Sequence, residues 1–433
     1  MTAARWFVLP ALLVLATGAS GKSPSLAFSP ELDLYPDHPS ARSRSVDEIY
    51  ERTATPGTVL SPEIAAKRRA IIRMYQQAGF DISLDQNSLL ALKPKHWSPR
   101  TPRPLGGTYP LPYSIDAPFY QKIPAGTPRV ELPPGYLTSG HISTIGPAGD
   151  GSDGFGIGVV VSGPADPLRT IHLERADQYA KIGSCPDHNP WKASNQTLHI
   201  QDAANVKLGG TGAGVPVNRS DRTVVWIDGA NHTSVSTWGT IEDCDRPARV
   251  EADGRRWEAT RAGDWSAMYI QKREQLPSLG DSGGINAANK SDLVTLIRPG
   301  EAIDPSRPIA HALSGPTEKA WKAIVYPASN TDNTIDRNNR GLLGYGFLLQ
   351  LDPRLDLSRL SLSLPARRIL EAIQTYGWYM DDTGPRDFNI KGNFSAAEFA
   401  PYGGVSAVDA EILRVLRVQK VYVVPPLVKK SPS

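Results

Sequence analysis

Between about residues 120 and 350 no apolar run of this chain stays regular for long. The stretches 156–161, 170–173, 197–200, 223–227, 293–297 and 345–351 have strand-like composition. Turn residues such as Asp228-Gly229 and Asp253-Gly254 cut between them. A chain interrupted that often has no room for long helices there, and it must bury its apolar residues by pairing short strands. The 38 Gly and 38 Pro supply the turns, and 433 residues at 40% hydrophobic content are ample for a large core. The expected class is mainly β, resembling a β-sandwich or jelly roll, with a small helical fringe at both ends.

The fringe has its own signals. Ser61 is placed to cap a helix, Pro62 and Glu63 suit its first turn, and Ile64, Arg68, Ile71, Ile72 and Tyr75 keep helical spacing. This predicts a helix over 62–78. Similar spacing predicts helices over 365–377 and 406–418, and 421–424 reads as a strand. Ahead of them, Trp6 to Ala16 is apolar, with one basic residue before it and small residues after it, which predicts a signal peptide over 1–20. That run falls short of the ~20 apolar residues needed to cross a bilayer. Residues 21–60 read as a linker and 61–433 as one β-rich domain. A secreted chain with two cysteines, Cys185 and Cys244, is expected to join them in a disulfide.

Net charge is +3 with no long Lys/Arg run, which argues against a nucleic-acid partner. Nothing after the signal peptide predicts a membrane span, and no cofactor motif is evident; Asp150-Gly151-Ser152-Asp153-Gly154 loosely resembles a calcium loop but lacks the distal Glu and reads as a polar turn. Oligomeric state is not legible.

Residues Gly280-Asp281-Ser282-Gly283-Gly284 match the string around the nucleophile of trypsin-like serine proteases. The resemblance implies a triad of His141, Asp187 and Ser282, in that family's chain order. The surroundings differ from the family's pattern. His141 follows Leu137-Thr138-Ser139-Gly140 with no cysteine beside it, and Asp187 lies in the polar turn Cys185-Pro186-Asp187-His188. After Ser282 the chain runs Ile285-Asn286-Ala287-Ala288-Asn289-Lys290, too polar for a buried strand. A turn rich in small residues is the preferred reading. Tyr379-Met380-Asp381-Asp382 likewise matches a polymerase tetrapeptide, but it follows a helix end in a chain without basic character, and it reads as a structural loop.

A longer pattern runs through 110–385. It includes Ser114-Ile115-Asp116-Ala117-Pro118-Phe119-Tyr120, then Leu296-Ile297-Arg298-Pro299-Gly300-Glu301 and Ile309-Ala310-His311-Ala312-Leu313. It closes with Ala372-Ile373-Gln374-Thr375-Tyr376-Gly377 and Asp381-Asp382-Thr383-Gly384. This series resembles a family of secreted, largely uncharacterised bacterial β-sandwich-like proteins. The resemblance implies a single β-rich domain and places Gly280–Gly284 in a loop of small residues. It brings no activity with it.

Secreted aromatic-rich β proteins of this kind commonly handle polysaccharides, an analogy at the level of fold alone. Trp238, Trp257, Trp265, Trp321 and Tyr326 are candidates for stacking on sugar rings, Trp238 and Trp265 first. His311, on an apolar stretch, is the candidate acid or base, with Tyr326 and Asp228 beside it in the proposed constellation; Asp264 and Asp281 are further carboxylates. The expected function is binding or processing of carbohydrate. The alternatives are an endopeptidase using Ser282 and a non-catalytic extracellular structural protein.

Overall fold

The structure, a computed structural model, describes residues 45–54, 58–78, 80, 82, 113, 117–145, 155–173, 195–201, 221–331 (without 251, 253, 255, 258, 272 and 277) and 339–427. The expected signal peptide, the expected turn at 150–154, Cys185 and Asp187 lie outside the described residues.

Helices α1 (Val46–Arg52) and α2 (Pro62–Gln77) come first. Strands β1 (Val130–Glu131), β2 (Gly140–Ser143), β3 (Gly158–Ser162), β4 (Leu168–Leu173) and β5 (Gln196–His199) follow. Next are β6 (Val224–Asp228), β7 (Thr233–Trp238), β8 (Ile241–Glu242), β9 (Arg249–Val250), β10 (Arg256–Trp257), β11 (Trp265–Ala267), β12 (Tyr269–Ile270) and β13 (Glu274–Gln275). The last third holds β14 (Leu313–Thr317), β15 (Ala320–Ile324), β16 (Leu343–Tyr345), β17 (Leu348–Leu351), helix α3 (Leu364–Thr375), β18 (Trp378–Thr383), β19 (Phe388–Lys391), helix α4 (Val405–Val418) and β20 (Val421–Val424). The chain is mainly β with few helices.

Three larger sheets carry the fold. One runs β1-β20-β17-β18-β14, a second β12-β7-β6-β3 with β13 also on β7, and a third β5-β4-β11-β8. Alternation along the strands explains how they stack, because successive side chains point to opposite faces. In β6, Val224 and Trp226 enter one core while Val225 and Ile227 enter another. The first of these cores joins β6 to Ile171, Leu198 and Trp265 of the third sheet. The second joins it to Leu348, Tyr379 and Val424 of the first sheet. The opposite face of the first sheet, through Leu349, Trp378, Met380 and Val423, packs on apolar residues of the helices, among them Ile71, Ile369 and Ile412. Strand β6 of the second sheet is therefore buried on both faces, and all five of its residues are buried.

Helix caps follow the chemistry in the sequence. Ser61 Oγ accepts from Ile64 N at 3.3 Å, and Pro62 opens α2 where no backbone donor is needed. Within the segment expected to be a linker, Val46–Arg52 is helical: Ser45 Oγ accepts from Glu48 N at 3.1 Å, and Ile49 packs into the helix-side core. Val46, Ile49 and Tyr50 keep the i, i+3, i+4 spacing and pack on that core, but seven residues are too short a run for the period to stand out.

Two further expectations are corrected. The run 293–297 is not a strand. Leu293–Thr295 forms a 3-10 turn, and only Ile297 makes an isolated bridge, to Gly392. A short apolar run fits a buried turn as well as a strand. The Tyr379–Asp382 tetrapeptide is not a loop but the middle of β18, parallel to β14 and antiparallel to β17. Its two aspartates concealed a strand whose first three residues, Trp378, Tyr379 and Met380, are fully buried.

Candidate functional site

Trp238 ends β7 and Tyr269 opens β12, and the antiparallel register sets them directly opposite one another. Opposite residues of such a pair share a face, within reach of each other's rings. Tyr269 is 54% exposed and Trp238 is half-buried. The return between the strands is close because residue 239 is glycine. It sits at φ +66°, and a Cβ there would lie 2.8 Å from the Met268 side chain. Met268 N donates to Trp238 O at 3.0 Å, which fixes the register. On the other face Ile270 packs into the core, so Tyr269 is directed outward. The result is two aromatic side chains side by side at a sheet edge.

The other aromatics of the sequence reading are differently placed. Trp265 is 2% exposed and packs at 5.2 Å on Trp226, whose Nε1 donates to Thr237 Oγ1 at 2.9 Å. Its ring meets protein, not solvent. Trp321 is buried against Phe347 and the Arg68 guanidinium. Tyr326 is buried and precedes a cis proline, Pro327.

His311, Tyr326 and Asp228 each have their own surroundings. The buried His311 ring is hydrogen-bonded through Nδ1 to Ala312 O at 2.8 Å and faces Glu301 Oε2 across 3.3 Å from Nε2. Asp228 ends β6 and gathers the next turn: Ala230 N, Asn231 N, Asn231 Nδ2 and His199 N all donate to it. Burial works against its charge, but these donors hold its carboxyl below the usual range. This is the work of a structural turn carboxylate.

His141, on β2, is hydrogen-bonded through Nδ1 to Asp409 Oδ2 of α4 at 2.7 Å, and Asp409 Oδ1 accepts from Ile142 N at 3.0 Å. Among the described residues no hydrogen bond joins His141 to Ser282. Ser282 is half-buried in a turn with Gly280 at φ +69° and Gly283 at φ +81°. Gly284 makes the turn's closest approach: a Cβ there would lie 1.4 Å from Lys290 O.

Beneath this turn lies a buried charge network that the sequence did not advertise. Lys290 Nζ contacts Asp381 Oδ2 at 3.0 Å and donates to Thr295 Oγ1 at 2.9 Å. Lys391 Nζ bridges Asp381 Oδ2 at 3.0 Å and Asp292 Oδ1 at 3.1 Å. Ser314 Oγ donates to the same Asp381 oxygen at 2.8 Å. The aspartates also hold the turn's continuation, since Ile285 N donates to Asp292 and Ala287 N to Asp382. Burial draws the Lys290 pKa down, against the pull of Asp381. Burial opposes the Asp381 charge, but the two lysines keep its pKa below the usual range. Burial pushes Asp382 up to about 7, against the pull of Lys391 and with the neighbouring Asp381 charge adding to it. Among the described residues no group of three His, Cys, Asp or Glu side chains converges as a metal site. No described helix is long and apolar enough to cross a membrane.

No family model, curated protein or solved structure matches the chain.

Proposed function

We propose that the protein is a secreted carbohydrate-binding protein whose contact surface is the Trp238–Tyr269 pair. The observation that carries this reading is the pairing itself, two aromatic side chains on one face of a sheet edge, one of them more than half open to solvent. The axial C–H face of a pyranose is apolar and flat. Adjacent aromatic side chains offer it a rigid platform at small entropic cost, while the sugar hydroxyls stay in water. The second and third sheets, joined by the core around Trp226 and Trp265, are read as the β-sandwich that carries the platform. This agrees with the resemblance to secreted bacterial β-sandwich-like proteins.

The reading is binding, not processing. Glycoside hydrolysis needs two carboxyl groups free to act across one bond. Asp228 is occupied by the turn that it organises, and Asp264 accepts from Thr170 N and Arg261 N.

A glycan array probed with the mature protein tests this. Binding of a polysaccharide class is expected, and Trp238→Ala and Tyr269→Ala are each expected to weaken it about tenfold, ~1.4 kcal/mol. Absence of binding on a broad panel, or binding indifferent to both substitutions, rejects it. Labelling by a fluorophosphonate that disappears in Ser282→Ala would instead support the endopeptidase.

A further inference from the structure

We propose that Lys290 and Asp381 become joined by an isopeptide bond between Nζ and Cγ. The two groups meet at 3.0 Å with side-chain exposures of 1% and 0%. They are held there by the fold: Lys290 follows the Gly280–Gly284 turn, and Asp381 is fixed in the middle of β18. Reactants held at contact in a fixed orientation react as if at very high concentration.

The surroundings suit the chemistry. Thr295 Oγ1 holds the amine at 2.9 Å, and the Phe119 ring lies 6.0 Å from Nζ, packed in turn on Tyr379. This apolar wall strips water from the lysine and favours its neutral, nucleophilic form. Asp381 Oδ2 is gripped by Lys391 Nζ and Ser314 Oγ. Asp381 Oδ1 is buried without a hydrogen-bond partner, so nothing retains it.

The step balances within the pair. The Lys290 ammonium passes a proton to the Asp381 carboxylate, leaving an amine and an acid. The Nζ lone pair attacks Cγ and the C–N bond forms. Negative charge gathers on Oδ2, between Lys391 and Ser314. The Cγ–Oδ1 bond then breaks, and Oδ1 leaves as water, carrying two protons that both began on Nζ. No oxidant, reductant or further reactant is needed. Condensation also removes one positive and one negative charge from a buried site where holding ions is costly. Lys391 is left facing Asp292, a matched pair. Lys290 is the nucleophile because Lys391 is shared between two aspartates and is held as an ammonium.

Intact-mass measurement of the mature, denatured and reduced protein decides the matter. The wild type is expected to be one water lighter than its sequence, about 18 Da. Tandem spectra are expected to show a branched peptide joining residues 290 and 381. Lys290→Arg, which keeps the charge but removes the amine nucleophile, is expected at its full sequence mass. A wild type at full mass overturns the proposal. So does a water loss that maps anywhere else, including to Lys391 or to dehydration within a single peptide. The wild-type measurement stands whether or not the variant folds.

Discussion

At the scale of single residues, the buried carboxyls respond to pH in opposite directions. Burial raises Asp382 from 3.8 to about 7, so the fold prefers its protonated form. A group with a raised pKa gives its full stabilisation below about pH 4, and loses it as pH climbs through about 7. Asp381, Asp228 and Asp387 have lowered pKa values, and their contributions fade only in acid. Asp382→Asn removes the titration and keeps one acceptor oxygen where Asp382 offers two, Oδ1 to Thr383 N and Oδ2 to Ala287 N. The variant is expected to gain on the wild type between pH 5 and 8, by on the order of 2–4 kcal/mol. Urea unfolding across that range measures the difference, and a flat difference would show that Asp382 is not held neutral. The Gly280–Gly284 turn gives a second contrast. Gly284→Ala drives a Cβ into the Lys290 carbonyl and is expected to cost ~3 kcal/mol or more, because backbone must move. Ser282→Ala, half-exposed, is expected to stay within ~0.5 kcal/mol. Comparable losses for the two would mean that the turn does not pack on Lys290 as described.

At the scale of elements, β2 and β19 pair in parallel, with Phe388 opposite Gly140, so no hairpin holds their starts together. Asp387 supplies the clamp. Its Oδ2 accepts from Thr138 N, Thr138 Oγ1 and Ser139 N at the entry to β2, and from Lys319 Nζ at 2.8 Å. Burial opposes its charge, but Lys319 and Thr138 hold its pKa down at about 2. Its contribution is therefore present above about pH 4 and lost as pH falls toward 2. Asp387→Asn is expected to cost ~2 kcal/mol at pH 7, a deficit that shrinks over that acid window. A deficit independent of pH would reject the charge as its source. Elements like this one also show what the sequence could and could not disclose. Helix α2 was legible because Ser61, Pro62 and the Ile71–Tyr75 spacing are local signals. Strand β6 was legible because Val224 to Ile227 is an unbroken apolar run with β propensity. Strand β18 was hidden because Asp381 and Asp382 look like loop residues until Lys290 and Lys391, distant in sequence, are seen to pair with Asp381, and burial to favour the protonated Asp382. The Trp238–Tyr269 pair was half legible: Trp238 stood out as an aromatic, but its neighbour belongs to a two-residue strand that no pattern announces.

At the scale of the whole molecule, the stacking of sheets sets an order of stability. Strand β6 lies between β3 and β7 and is buried on both faces, so its amides can exchange only when two cores open together. The third sheet contributes Ile171, Leu198 and Trp265 to only one of those cores, and among the described residues β5 is one of its two edge strands, with Thr197 exposed. Its opening requires the loss of a single interface. Amide hydrogen exchange of the native protein is therefore expected to release β5 first, β4 and β11 next, and β6 last. Trp226→Ala removes the ring that packs on Trp265 and is expected to cost ~3–5 kcal/mol. That loss belongs to the interface between the second and third sheets, so it is expected to speed exchange in β4 and β11 more than in β17 and β18. The helix-side core, where Trp378 and Met380 pack, is not in contact with that cavity and keeps its protection. Equal acceleration in β18 and β11 would mean that the cores open as one unit, and the layered account of the fold would have to be given up.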